Sequence, residues 1–173
     1  MLQPSAHRPR VPAGYGVESA TEAPGTRLPW STVHDRLLAA RTYWVGTTRP
    51  DGRPHAVPVW AVWLDGALYF STGATTATAR NLAANPHALA HPDDGERVAI
   101  VEGAAVPVTE RAVLERVAAD YERKYDYAMD PDVLPGPVYA LLPEHVLSWD
   151  SVDSLGETMT RWDFQDRPAD SCA

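Results

Sequence analysis

The sequence has 173 residues, of which 45% are hydrophobic and 22% charged, the proportions of a globular protein with one well-formed core. Its net charge of −8 and its pI near 5.1 argue against a partner such as nucleic acid or an anionic membrane surface. No apolar run is long enough to span a membrane, and Cys172 has no second cysteine for an intrachain disulfide, so we expect a cytoplasmic protein in a reducing compartment.

The first 29 residues contain prolines at positions 4, 9, 12, 24 and 29 and have no hydrophobic periodicity. Residues 1–29 are therefore expected to form a flexible N-terminal arm, and residues 1 to about 25 of this arm are expected to contribute little to stability. The folded domain is expected to occupy residues 30–164, and residues 165–173 would form a short C-terminal tail.

Ser31 is a candidate N-cap of a first helix, and a segment with the pattern of three antiparallel strands follows it. Pro50-Asp51-Gly52 and Asp65-Gly66 supply the two turns between these strands, and the second turn is a strong hairpin signal. The middle strand contains VPVWAVW at 57–63, which is apolar on both alternating faces. Such a strand belongs in a barrel wall or at a subunit interface, so the pattern also predicts a homodimer.

Further helices and strands alternate after the third strand. A short helix is predicted from about Thr76 to Ala84, followed by two strands, HALAH and RVAIVEGAAVPVT, with a bulge at Gly103. A helix capped by Thr109 and a strand through HVLSWD complete the pattern. The tight hairpins and the order of elements predict a mainly β, α+β domain, namely a small antiparallel barrel with peripheral helices.

The segment STGATTATARN places several hydroxyl-bearing residues at a turn from a strand into a helix. A helix N-terminus presents free N–H groups and the positive end of its dipole, so this turn, together with Arg80, could hold an anion such as a phosphate. The alternative is an ordinary capped turn whose hydroxyls bind the local backbone. The residue pattern by itself leaves both interpretations open.

The stretch from Arg41 to Gly103, with RPHAVPVWAVWLDGALYFSTG, ARNLAANPHAL and VEG, resembles the pyridoxamine 5'-phosphate oxidase-like superfamily. More closely, it resembles the actinobacterial flavin/deazaflavin oxidoreductases of the B type, and TRWDF is similar to their closing segment. This resemblance, which covers about residues 30–164, implies a six- to seven-stranded antiparallel split β-barrel. It also implies a homodimer that binds FMN or the deazaflavin coenzyme F420 in grooves at the dimer interface, and its closest motifs favour coenzyme F420.

The resemblance further implies which residues contact the cofactor. Those expected near its ring, ribityl chain and phosphate are Val57, Pro58, Val59, Trp60, Ser71, Thr72, Thr76, Thr78, Arg80, Asn81 and, from the partner chain, Trp162. Relatives often have basic residues where Thr76 and Thr78 stand, so Arg80 is expected to be the main charged contact of the phosphate. A charge-assisted hydrogen bond of this kind contributes about 1.5–3 kcal/mol.

Other polar and aromatic residues are candidates for weaker reasons. His55 begins a strand that leads toward the expected groove, and Tyr125 and Tyr127 lie at and after the end of the third helix, so these three are candidate substrate contacts. His87 and His91 lie in a strand-like run that would separate their rings by over about 10 Å, so no metal site is predicted. No catalytic residue is assigned, because no nucleophile or paired-carboxylate motif is present.

These features favour a flavin- or deazaflavin-dependent oxidoreductase that transfers hydride to a flat, conjugated small-molecule substrate. Two alternatives remain open at this point. One is a non-catalytic binder or carrier of a flavin, haem or other planar ligand. The other is a barrel that has lost its redox cofactor and performs non-redox chemistry, which the threonines at positions 76 and 78 keep in consideration.

Overall fold

Nine strands and four helices lie in the described residues of this computed structural model, which are 4–9, 27–132 and 136–164. The strands are β1 (Ser5–His7), β2 (Tyr43–Thr48), β3 (Pro54–Val59), β4 (Ala61–Leu64), β5 (Ala67–Ser71), β6 (His87–Pro92), β7 (Val98–Pro107), β8 (Val138–Trp149) and β9 (Thr160–Asp163). The helices are α1 (Trp30–Ala39), α2 (Ala77–Ala84), α3 (Arg111–Tyr125) and α4 (Leu155–Thr158). None of these helices has the length and apolar character needed to cross a membrane. The predicted tail over 165–173 lies outside the described residues.

The strands form one antiparallel sheet in the order β1-β9-β8-β7-β6-β2-β3. β4 pairs with β5, and β5 connects this pair to the sheet by pairing with β8. β8 therefore has three partners: β7 pairs along one edge, while β5 and β9 share the other edge. The sheet does not close, because the consecutive strands β3 and β4 pair with different neighbours, β2 and β5. This is the predicted antiparallel split β-barrel, with nine strands in place of six or seven.

The middle strand predicted around 57–63 is interrupted at Trp60, which separates β3 from β4. The first three residues of β4 are buried, whereas β3 alternates between partly buried and exposed residues. Two hydrophobic clusters explain the apolar character of β4 on both faces. Trp63 packs in the main core, while Val62 packs in the second cluster, beneath α3.

Part of the N-terminal arm forms a strand that the sequence analysis did not predict. Ser5–His7 pairs with β9, and Arg27 Nη1 donates a hydrogen bond to Ala6 O at 2.9 Å. A strand of three residues recruited by backbone pairing leaves no hydrophobic pattern in the sequence. Residues 10–26 of the arm lie outside the described residues, and its small contribution to stability stays a prediction.

The helix starts agree with the sequence analysis at α2 but differ at α1 and α3. Ser31 lies inside α1, whose N-cap is Pro29, because Trp30 already packs as the first helical residue into a cluster of aromatic rings. Similarly, the N-cap of α3 is Glu110 and not Thr109. At α2 the capped turn that the sequence left open as one interpretation is present, since Thr76 Oγ1 accepts the Ala79 N–H at 3.2 Å.

Candidate functional site

A groove of about 710 Å³ lies between β3, the end of β5 and the start of α2. This volume falls in the range of small-molecule sites, about 300–1,000 Å³. One wall is apolar and consists of Val57, Pro58, Val59 and Trp60. β3 is the last strand in the order of the sheet, so its outer edge has no hydrogen-bonded neighbour among the described strands. Four of the residues that were expected to contact the cofactor are thus together on one accessible wall.

Side chains of α3 fix the corner between β3 and β4. Tyr121 Oη donates to Trp60 O at 2.6 Å, and Tyr125 Oη accepts the Ala61 N–H at 2.9 Å. Lys124 Nζ donates to Ala61 O at 2.8 Å. The backbone groups of the corner are therefore satisfied by side chains where strand partners would otherwise bind them, which explains why the strand can break here.

Trp60 presents an aromatic surface to the groove. Its ring stacks on Tyr125, with centroids 4.6 Å apart and planes at 4°, yet Trp60 remains 47% exposed. The ring of Tyr127 meets it edge-on at 5.9 Å and also lines the groove. Tyr125, in contrast, is buried behind Trp60 and does not line the groove, so it supports Trp60 where a substrate contact was predicted.

The polar part of the lining comes from the loop between β5 and α2. The groove residues of this segment are Ser71, Thr72, Gly73, Thr76, Ala77 and Thr78. Thr76 Oγ1 lies 2.9 Å from Thr72 Oγ1 while it also caps α2. The two interpretations of this segment are therefore compatible, because the same hydroxyl both caps a helix and lines a groove.

A close backbone approach fixes the shape of this loop. A Cβ atom added at Gly136 would lie 2.2 Å from Thr72 O and 2.4 Å from Ala74 N. Thr72 N also donates to Pro137 O at 3.4 Å. Only a residue without a side chain lets the backbone at position 136 pass this close to the loop.

Two of the predicted cofactor contacts support the loop but do not line the groove. Arg80 is exposed, and its Nη1 donates to Thr75 O at 2.6 Å. Asn81 is buried, and its Nδ2 donates to Thr47 Oγ1 at 2.9 Å, which ties α2 to β2. Both side chains therefore hold the segment in place, and in this structure neither is directed at the groove.

Trp162 lies in the core of its own chain, where it is only 6% exposed. Its Nε1 donates to Ser148 Oγ at 3.1 Å, and its ring lies 5.4 Å from that of Trp30. Within one chain the indole thus packs in the aromatic cluster of the core. The predicted role of Trp162 in a partner chain stays a prediction.

His55 lines the groove and connects it to Arg49. His55 Nε2 lies 3.4 Å from Thr78 Oγ1, and His55 Nδ1 lies 3.3 Å from Arg49 Nη2. A guanidinium only donates hydrogen bonds, so Nδ1 accepts, and a neutral ring carries its proton on Nε2, toward Thr78. Arg49 was not predicted to lie near the site, although its place at the tip of the β2–β3 hairpin indicates a position beside the start of β3.

Tyr121 and Met129 also line the groove, although the sequence analysis did not assign them to it. Both lie far along the chain from β3, so only tertiary packing brings them to the site. Tyr121 was expected to be a core residue, and its ring is indeed buried. No local sequence signal could have connected these residues with the groove.

The charged surroundings of the corner are unusual because they include the only lysine of the sequence, Lys124. Burial lowers the pKa of Lys124 to about 8, and the nearby charge of Arg41 adds to this effect. Its ammonium group also lies over two aromatic rings, 5.2 Å from that of Tyr43 and 5.4 Å from that of Tyr125.

A second groove of about 500 Å³ lies on the other side of His55 and includes His87, Glu102, Glu144 and His145. His87 Nδ1 is 3.9 Å from Glu144 Oε1. Within 4–9, 27–132 and 136–164, no three histidine, cysteine or carboxylate side chains are grouped so that they could hold a metal ion.

In sequence, the chain matches the pyridoxamine 5'-phosphate oxidase family over residues 31–150. The comparison with curated proteins gave no match.

Solved structures with the same fold come from several bacteria. A conserved hypothetical protein from Mycobacterium tuberculosis superposes with a TM-score of 0.65 at 23% identity, covering 89% of this chain and 100% of the other. A FAD-binding protein from Mesorhizobium loti gives 0.57 at 18% identity, covering 79% and 96%. The haem storage protein from Vibrio cholerae gives 0.57 at 18% identity, covering 68% and 91%. At these identities the likeness establishes the fold alone.

Proposed function

The chain belongs to the pyridoxamine 5'-phosphate oxidase family, and on this basis we propose that it is an oxidoreductase that uses FMN or coenzyme F420. Its substrate would be a flat, conjugated small molecule that accepts hydride. The observation that carries this proposal is the groove beside β3, which combines an apolar wall with a hydroxyl-rich loop. A flavin has the same two parts, a flat ring and a polar chain that ends in phosphate.

The residues of the groove fit such a group. The wall from Val57 to Trp60 offers apolar surface for a ring, and β3 presents an edge whose backbone groups can bind the polar side of that ring. Ser71, Thr72 and Thr78 supply hydroxyl donors for a ribityl chain and a phosphate. The FAD-binding relative from Mesorhizobium loti supports a flavin-type ligand for this fold.

A bound flavin or deazaflavin supplies hydride transfer, and the protein contributes binding, orientation and exclusion of water. Trp60 and Tyr127 offer exposed aromatic surface on which a flat substrate can lie. The hydrogen bonds from α3 hold Trp60 in place, so this surface is preorganised. No side chain of the described residues has to act as a nucleophile in this proposal.

We also propose that the protein is a homodimer and that the second copy covers the exposed side of the groove. Trp44, Leu89 and Pro58 lie on one face of the sheet, since Trp44 pairs with Pro58 and the next residue of that face, Gly46, pairs with Leu89. Trp44, Leu89 and Trp60 are large exposed hydrophobic residues. A contiguous apolar face of this kind is typical of a subunit interface.

A second candidate function is the carriage of a planar ligand without turnover. It is favoured by the absence of any arginine or lysine from the groove lining within the described part of the chain. The haem storage protein from Vibrio cholerae, which has this fold, makes haem a reasonable ligand to test.

One experiment separates these functions. Purified protein is titrated with FMN, coenzyme F420 and haem, and binding is followed by visible absorbance. The loaded protein is then reduced, and its reoxidation by a panel of quinones and conjugated enones is compared with that of the free cofactor. We expect flavin or deazaflavin binding and faster reoxidation on the protein. Binding without faster reoxidation would support the carrier, and binding of haem alone would contradict the proposed oxidoreductase.

A further inference from the structure

The groove has hydroxyls where a phosphate would bind, but no cation among its described lining residues. Arg80 is the arginine nearest in sequence to the loop between β5 and α2, and its guanidinium donates a hydrogen bond to Thr75 O of that loop. A phosphate held by hydroxyl groups alone would lack the charge-assisted hydrogen bonds that usually make such sites strong. A different source of positive charge is therefore required if this loop binds a phosphate.

Arg49 is in a position to supply that charge. Its guanidinium lies 3.3 Å from His55 Nδ1, and on the other side of the ring His55 Nε2 lies 3.4 Å from Thr78 Oγ1 in the groove. The three side chains form a connected row from the β2–β3 hairpin to the first turn of α2. Thr78 is almost completely buried, so its hydroxyl is available only to the groove and to its immediate neighbours.

Arg49 is less closely paired with acidic groups than its neighbour in the same hairpin. Among the described residues it forms no ion pair, whereas its neighbour in the same hairpin, Arg53, binds Asp51 through Nη2 at 2.7 Å. Asp51, the nearest acidic residue in sequence, is bound by Arg53, whose hydrogen bonds are the main cause of its lowered pKa, and the charge of Arg49 lowers that pKa further. A partly buried guanidinium that contacts an imidazole in place of an acid leaves positive potential at the groove, where an anion would be stabilised.

From these contacts we infer that Arg49, acting through His55, provides the positive charge for the phosphate of the bound cofactor, and that Arg80 does not. This inference rests on the proposed function, because it assumes a phosphate-bearing cofactor in this groove. A phosphate beside Thr78 would receive the Nε2–H of His55 and would lie in the field of Arg49. Arg49 and His55 are therefore positioning and binding residues.

The test compares ligands that differ only in the phosphate. Dissociation constants for FMN and riboflavin are measured by fluorescence titration with wild type, Arg49→Ala and Arg80→Ala. We expect Arg49→Ala to weaken FMN binding by about ten- to a hundredfold, as for the loss of one charge that acts across a partly buried site, and to leave riboflavin binding nearly unchanged. Arg80→Ala should retain the wild-type preference for FMN. A second comparison uses coenzyme F420 and its deazariboflavin, which lacks the phosphate together with the glutamate carboxylates of the tail, so the FMN pair is the one that isolates the phosphate.

Arg53→Ala is the matched control, because it removes the same charge from the same hairpin but from a side chain that is paired with Asp51. Arg49→Gln keeps a polar side chain of similar reach and gives a second reading in case alanine lowers the stability of the hairpin. His55→Phe should reduce the preference for FMN in the same direction as Arg49→Ala, because it removes the Nε2–H that lies between Arg49 and the groove.

The possible results separate the inference from the proposed function. A wild type that prefers FMN to riboflavin, together with Arg49 variants that keep this preference, overturns the inference and leaves the proposed function intact. If Arg80→Ala loses the preference for FMN over riboflavin, the inference is wrong and Arg80 is the residue that binds the phosphate. A wild type that binds neither flavins nor deazaflavins overturns both.

Discussion

Tyr125 supports Trp60 in two ways: its ring stacks on the indole at 4.6 Å, and its hydroxyl accepts the N–H of the residue that follows Trp60 at 2.9 Å. One side chain of α3 thus determines both the orientation of a groove residue and the point at which β3 ends. The exposed surface of the groove is for this reason coupled to the packing of a helix that contributes little to its lining.

Replacing Tyr125 with phenylalanine keeps the stack but removes the acceptor of the Ala61 N–H. Because Ala61 is completely buried, its N–H would be left without a partner, and we expect the free energy of unfolding to fall by about 1–3 kcal/mol. Urea unfolding measures this loss. Tyr127→Phe is the control, since Tyr127 is 53% exposed and should change stability by less than about 0.5 kcal/mol. Equal stabilities for the two variants would contradict the role of the hydroxyl.

The stability of the protein is expected to rise between about pH 8 and pH 10 because of Lys124. In the folded state its pKa is lowered to about 8, from an ordinary value of 10.5, so over this interval the unfolded chain binds a proton that the folded chain has released. The free energy of unfolding then increases with pH. The ammonium group is partly exposed, which reduces the size of the effect. Above about pH 10 the buried tyrosines Tyr43 and Tyr121, whose pKa values are raised by burial, reverse the trend.

The measurement is the difference in free energy of unfolding between wild type and Lys124→Met at several pH values from 7.5 to 9.5, chosen to bracket the lowered pKa of about 8. We expect wild type to gain stability relative to the variant as the pH rises, because methionine does not titrate. A difference that is constant over this range would show that Lys124 has a normal pKa. Since Lys124 is the only lysine, its titration can also be followed directly by NMR.

Gly136→Ala is expected to distort the loop between β5 and α2. The new methyl group would lie within 2.4 Å of backbone atoms of Thr72 and Ala74, and a clash with backbone requires one of the two segments to move. We expect a loss of about 1–3 kcal/mol of stability together with weaker cofactor binding. Gly95→Ala is the control, because nothing lies within 4 Å of its added Cβ. Retention of both properties in Gly136→Ala would mean that the loop moves without consequence.

The apolar face around Trp44 and Leu89 predicts a dimer in solution. Light scattering of the wild type at micromolar concentration should give twice the mass of the chain. Leu89→Arg places a charge in the centre of this face, where burial against a second copy would be strongly unfavourable, so it should shift the protein toward monomer. Glu115→Arg, on the exposed surface of α3, introduces a new arginine elsewhere and should leave the dimer intact. A monomeric wild type would refute the prediction.

Features determined by neighbouring residues could be predicted from the sequence. The Asp65-Gly66 hairpin is present, with φ of 51° and 78° at its two turn residues, because aspartate and glycine tolerate the left-handed region. The irregularity at Glu102/Gly103 was predicted for a similar local reason, because a glycine within a strand indicates a bulge. The capped turn at the start of α2, which the sequence left open as one of two interpretations, is formed by Thr76.

Features determined by distant residues could not be predicted. The break at Trp60 depends on side chains of α3, which lie about sixty positions further along the chain. The direction of Arg80 depends on a carbonyl group of the loop, and the place of Trp162 depends on a cluster that forms only when β9 pairs with β8. Sequence identified the segment that forms the groove, but it could not determine which side chains of that segment point into it.

The three partners of β8 have a consequence for how the chain reaches its fold. Leu141 of β8 pairs with Leu68 of β5, and Val146 pairs with both Val101 and Trp162, so the central strand gathers segments from the whole length of the domain. Because the paired segments are far apart in sequence, the topology has a high contact order. Each pairing must overcome the entropy cost of closing a long loop before its contacts form, so we expect folding to be slow. During synthesis, the edge of β5 that pairs with β8 stays unpaired until β8 has left the ribosome. A partly made chain therefore exposes an aggregation-prone edge that the finished protein conceals.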